Sequence, residues 1–155
     1  MMNLSRPMRE LRRSTAGTAL IEAAVILPLV VIIMGGIFDF GHAYATLSAA
    51  QKSLRGAVRY LSLLPSGSVC SAWALTSARN LARFGNTAGT GTVLITGWEN
   101  GDITRVAPTA CSSSTPVGII KLSATVPYDS FMWEIVGLPE TITMNVEHEE
   151  RWIGQ

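Results

Sequence analysis

The chain has little of what a catalytic or metal centre is built from. Only 2 histidines and 2 cysteines occur in its 155 residues. There is no G-x-S-x-G nucleophile turn, no P-loop and no dinucleotide-binding glycine fingerprint. Cys70 and Cys111 have only His42 and His148 to join them, without a short ligand spacing, so no metal site is expected. Charge is also scarce. Charged residues make up 15% of the chain and the formal net charge is +1, which gives a nucleic-acid partner little electrostatic support. These absences point away from an enzyme, a cofactor and a small-molecule substrate.

Apolar sequence is abundant, and it is concentrated. Mean hydropathy is +0.31, high for a soluble protein, and it comes largely from one segment. That segment follows a basic head in which Arg6, Arg9, Arg12 and Arg13 outnumber Glu10. From Thr18 to Phe38 there are 21 residues with a single charge, Glu22. A helix of that length covers roughly 30 Å, the thickness of a bilayer's hydrocarbon core. A basic flank stays cytoplasmic, so the remainder of the chain is expected outside, in a single-pass topology across a bacterial inner membrane.

Three readings of this segment compete. A cleavable signal peptide has the right head, but the apolar part is longer than the usual one and no small-x-small site follows it before Asp39. An uncut signal anchor would tether an outer binding or scaffold module and would make Glu22 incidental. A prepilin-like leader would be removed after a glycine on the cytoplasmic side, leaving the apolar helix in place.

The residues Gly17-Thr18-Ala19-Leu20-Ile21-Glu22 set a glutamate five positions after a glycine, ahead of an apolar run. This is similar to the processing site of type IV pilins and pseudopilins. The longer string GTALIEAAVILPLVVIIMGGIFDFGHAYATLSAA adds Pro28 and the pair Phe40-Gly41. It resembles the amino-terminal region of TadE-like proteins of the Flp (tight adherence, Tad) pilus system. The resemblance is clearest over about 45 residues and extends weakly to the closing strands.

It implies a pseudopilin or minor pilin, processed between Gly17 and Thr18, with Glu22 and Pro28 on the helix used in assembly. The implied partners are a prepilin peptidase, other pilins or pseudopilins and the Tad secretion platform, and the subunit could end in a pilus. One departure is Ala23, where Flp-type pilins carry an aromatic residue, and it argues against a major pilin.

Processing would give Thr18 a free α-amino group, protonated near neutral pH. Glu22 lies about 6 Å along the helix from it. A carboxylate at membrane depth is costly unless paired or solvated, so the ammonium of a neighbouring subunit would make it a register key. In an uncut chain Glu22 would snorkel to the interface and meet Arg12 or Arg13. Pro28, Gly35 and Gly36 fit either an ordinary kinked span or a bend suited to packing in an assembly.

Beyond Asp39 the spacing becomes a heptad seam: Phe40, Ala43, Leu47, Ala50, Leu54, Ala57, Leu61 and Leu64. One helix is expected from Thr18 to Leu64, ended by Pro65-Ser66-Gly67. Its alanine-rich seam favours packing on the protein's own outer domain over partner helices, with Lys52, Arg55 and Arg59 on a solvated face. The expected layout is a leader (1–17), a span (18–38), a helix extension (39–65) and a small periplasmic domain (66–155).

The outer domain should be α+β. A helix is expected over Ser71–Arg83, ending at Gly85, with three or four antiparallel strands behind it. Strands are expected at Thr92–Thr96 and Asp102–Ala107. Two more alternate cleanly, with Ile120, Leu122, Ala124 and Val126 on one face of the first and Ile142, Met144 and Val146 on one face of the second. In an oxidising compartment Cys70 and Cys111 read as a disulfide, whose loop would contribute roughly 3–4 kcal/mol, or else as two buried thiols. The apolar stretch from Tyr128 to Leu138 is either a partner-binding loop or a short helix capped by Asp129 or Ser130.

Overall fold

The computed structural model describes residues 15–107, 118–135, 137 and 141–154. The chain divides into two units, Met1–Phe40 and Gly41–Gln155, each described by itself. The basic leader up to Ser14 lies outside the described residues, as does Cys111.

Helix α1 spans Thr15–Ser62, with Pro28 inside it. Within the first unit its apolar side chains are exposed all round, Leu20, Ile21, Val25 and Leu27 among them. An uninterrupted apolar surface of this kind has no soluble counterpart that leaves it bare. Within the second unit the helix is one-sided. Ala50, Leu54, Ala57, Val58 and Leu61 are fully buried, while Lys52, Arg55 and Arg59 face outward. The heptad seam therefore packs on the protein's own domain, as its alanines suggested. Phe40, its expected first member, is exposed and takes no part.

α1 stops two residues before Leu64. The Ser62 hydroxyl donates to the Arg59 carbonyl at 2.8 Å, and Leu64 N–H reaches back to Leu61. Pro65, which cannot donate, then closes off the helix. A single turn not anticipated from sequence, α2 (Ser66–Val69), follows it. Next comes α3 (Ala72–Phe84), as expected. The Ser71 hydroxyl caps it by accepting from Ala74 N–H, and Gly85 ends it with φ 74°. Its buried stripe is Ala74, Ala78 and Ala82, three small residues at four-residue spacing that let the helix lie close to the core.

Three strands form one antiparallel sheet in the order β1 (Ile103–Ala107), β2 (Ile119–Asp129), β3 (Thr141–Arg151). β2 is central and pairs along its whole length, from Ile119 opposite Arg151 to Asp129 opposite Thr141. Its even-numbered residues from Ile120 to Tyr128 are all buried, so the alternation was read in the correct phase. On the outer face the Lys121 ammonium reaches diagonally to Glu147 at 2.7 Å. That hydrogen bond and the charge of Glu147 hold the Lys121 pKa above its ordinary value.

Thr92–Thr96 is not a strand, which corrects the expectation. Leu94 N–H donates to the Arg83 carbonyl at 2.7 Å, so this segment bonds to the end of α3 instead of to a ladder. It still delivers Ile95 and Trp98 to the core. Arginine side chains hold the surroundings in place, with Arg83 Nε donating to the Trp98 carbonyl at 2.7 Å and Arg79 Nε to the Ile103 carbonyl at 2.8 Å.

The carboxyl-terminal end of β3 locks onto the end of α1. Trp152 Nε1 donates to the Leu64 carbonyl at 2.9 Å, and Ile153 N–H to the Ser62 carbonyl at 3.1 Å. The Ser62 acceptor is the last residue of α1, and Leu64 follows two residues later. A Cβ on Gly154 would fall on the Leu64 carbonyl and lie 2.8 Å from Trp152 Nε1. Gly154→Ala should therefore destabilise the domain by about 1–3 kcal/mol, the usual cost of overpacking. A denaturant midpoint measured on the full chain in detergent should fall accordingly, and an unchanged midpoint would refute this lock.

Candidate functional site

The residues singled out near the amino terminus sit on consecutive turns of α1. Gly17 is half-buried, and Thr18, Glu22 and Pro28 are exposed. Thr18 and Glu22 are four apart, so the helix stacks them on one face, one turn from each other. The positions three and four away from Glu22 are Thr18, Ala19, Val25 and Ile26. None is cationic, so the helix supplies no internal counter-charge. Among the described residues no ion pair involves this carboxylate. Pro28 leaves the carbonyl of Ala24 without its usual helical donor. Together these residues form a surface on which the one charge and the one backbone gap both lie within an otherwise apolar cylinder.

Among the described residues one helix is long and apolar enough to cross a membrane. Its most apolar 18-residue window has a mean hydropathy of 2.6, and none of that window is buried. By length and composition α1 is suited to serve as a membrane anchor.

Comparison with known families finds a match, and it falls on the helix. The TadE-like protein family model matches residues 17–59. The match opens on Gly17 and takes in Thr18, Glu22 and Pro28. It ends three residues short of the end of α1 and does not extend over the sheet. The matched stretch is 43 of the chain's 155 residues, so the likeness is to a TadE-like helix and not to the whole chain. No curated protein and no solved structure matches the chain significantly.

The second pair of predicted residues is not brought together by described structure. Cys70 follows α2 and is not left as a free thiol. Its expected partner, Cys111, lies outside the described residues. No group of three or more histidine, cysteine or carboxylate side chains that could hold a metal ion occurs among the described residues.

Sequence reading missed one feature of the second unit. A cleft of about 390 Å³ runs between His42, Thr46 and Ala49 of α1, the Leu94–Thr96 segment and the end of β2. The His42 ring meets Tyr128 edge to face, with centroids 5.7 Å apart and planes at 68°. The Asp129 carboxylate accepts from the Thr141 hydroxyl at 2.9 Å, which ties β2 to β3 beside it. A residue on a helix and another 86 positions later give no periodic signal, so nothing in the sequence marked this pairing.

The Tyr128–Leu138 stretch resolves in favour of a short helix, α4 (Phe131–Ile135). The Ser130 hydroxyl accepts from Trp133 N–H at 3.3 Å, so Ser130 is the capping residue of the two candidates. Val136 and Leu138 lie outside the described residues.

Proposed function

We propose that this protein is a TadE-like pseudopilin or minor pilin that acts in assembly of a Flp-type pilus. Residues 18–38 hold it in the inner membrane, with the basic head in the cytoplasm and the sheet domain in the periplasm. A prepilin peptidase removes the leader after Gly17. The α-amino group of Thr18 in one subunit then pairs with Glu22 of a neighbour and sets the axial register of packed helices. The role is non-enzymatic, and its partners are other pseudopilins and the secretion platform.

The observation that carries this reading is the TadE-like match opening at Gly17, five residues before a carboxylate with no cationic neighbour on its own helix. A passive anchor has no use for that carboxylate. In a processed subunit the cut creates the counter-charge that Glu22 lacks. A disulfide between Cys70 and Cys111 is part of the same reading, because both cysteines follow the span and would fold in an oxidising compartment.

Intact-mass measurement on protein from a host with its cognate peptidase should give a chain that begins at Thr18. Retention of the head would instead favour an uncut anchor carrying a binding or scaffold module. Glu22→Ala should insert at least as well as the wild type, because removing a charge lowers the cost of entering lipid. The same variant should lose most of its incorporation into assemblies, scored by crosslinking to other pseudopilins, and wild-type incorporation would remove the register role. Thiol labelling of the unfolded, unreduced chain should leave both Cys70 and Cys111 unmodified, whereas labelling of both would show that no bridge forms.

A further inference from the structure

The sheet domain has two distinguishable ends along α1. Trp152 and Leu64 meet at one end, His42 and Tyr128 at the other. Tyr128 is the next-to-last residue of β2, which runs through Ser130 straight into α4. α4 therefore stands at the His42 end. His42 is four residues after Phe38, where the apolar run stops, so chain continuity alone puts the limit of that run about one helical turn from His42.

α4 presents aromatic surface to solvent at the His42 end, where Tyr44 of α1 is exposed as well. Phe131 is 69% exposed and Trp133 38% exposed, on a one-turn helix fixed by the Ser130 cap. Such aromatic side chains gather where hydrocarbon meets water, because the ring is apolar and the indole N–H still finds a polar partner. No basic residue lies within α4, and the Asp129 carboxylate beside it is occupied by Thr141. α4 itself thus offers no cation to anionic headgroups, and partition of its rings remains.

We propose that α4 is an interfacial anchor. Phe131 and Trp133 enter the headgroup–acyl boundary of the bilayer that residues 18–38 cross, on the side of the sheet domain, and hold that domain against the membrane. This rests on the reading of residues 18–38 as a span. The occupant is a lipid surface of no particular charge.

The test uses the full chain reconstituted in zwitterionic phosphatidylcholine vesicles, floated on a density gradient, with brominated-chain phosphatidylcholine as the quencher. The chain has 4 tryptophans, so Trp133 accounts for about a quarter of the emission. That share should be quenched in the wild type, and quenching should fall several-fold in Trp133→Phe, which keeps an aromatic ring and removes the reporter. Phe131→Ser should also reduce it. A chain that floats with the vesicles without quenching overturns the anchor and leaves the span intact. Quenching unchanged by Trp133→Phe overturns it too, as does quenching that requires anionic lipid. Trp133 shielded from aqueous iodide but not quenched by lipid identifies a protein-facing surface and equally overturns the proposal. A chain that fails to float removes the span and the anchor together.

Discussion

A single helix here has to satisfy two environments, and the boundary between them organises the rest of the molecule. From Ala23 to Phe38 every residue of α1 is apolar, and the large side chains are exposed. From Ala50 to Leu61 the same helix buries one face completely and leaves Lys52, Arg55 and Arg59 in solvent. A uniformly apolar helix gains nothing from rotating about its axis, whereas an amphipathic one has a single favourable orientation. The sheet, the alanine stripe of α3 and the irregular segment carrying Ile95 and Trp98 supply the core that fixes this orientation. Trp98 fills the largest share of it, although its indole N–H has no partner among the described residues.

The domain's few tight constraints lie at the ends of elements. α1 ends in carbonyls that need donors, and the Trp152–Ile153 segment provides two from the far end of the chain. α3 ends in a left-handed glycine, and the Arg83 carbonyl near that end is taken by Leu94. β3 is an edge strand, and its outward row contains Glu147 and Glu149. Like charges along an edge discourage pairing with another chain, so further growth of the sheet is opposed by the same residues that hold Lys121.

Features legible in the sequence were those written in neighbouring residues. The period-two alternation of β2 set its burial correctly, and Ser71 and Gly85 bracketed α3, because capping and pleating act over one to four positions. Thr92–Thr96 was misread because a strand needs a partner, and the apolar pattern is equally satisfied by a loop that inserts one side chain, Ile95, while bonded to a helix end. Phe40 continued the heptad spacing without joining the core, since spacing records a face of the helix and not what covers it. The cleft at His42 and the lock at Gly154 depend on residues more than eighty positions apart. Pairings of that kind are set by the closing of the whole sheet, and no local pattern encodes them.

The energetics of Glu22 bear on the proposed role more than its mere presence does. A charge at the centre of a span costs about 2.5–3.5 kcal/mol on insertion scales, and less near an end. Glu22 lies close to the start of the apolar run, so a monomer can tolerate it by leaning toward the interface. That option disappears when helices pack away from water, where the full cost returns unless a cation is adjacent. Two opposite charges 4 Å apart attract by about 4 kcal/mol at the effective dielectric of a protein surface, enough to offset the burial. A shift of one residue moves the partners about 1.5 Å along the axis and about 100° around it. The attraction is then largely lost while the burial cost remains. A carboxylate that is cheap in the free subunit and costly in a misaligned one penalises wrong register selectively, which a purely apolar helix cannot do.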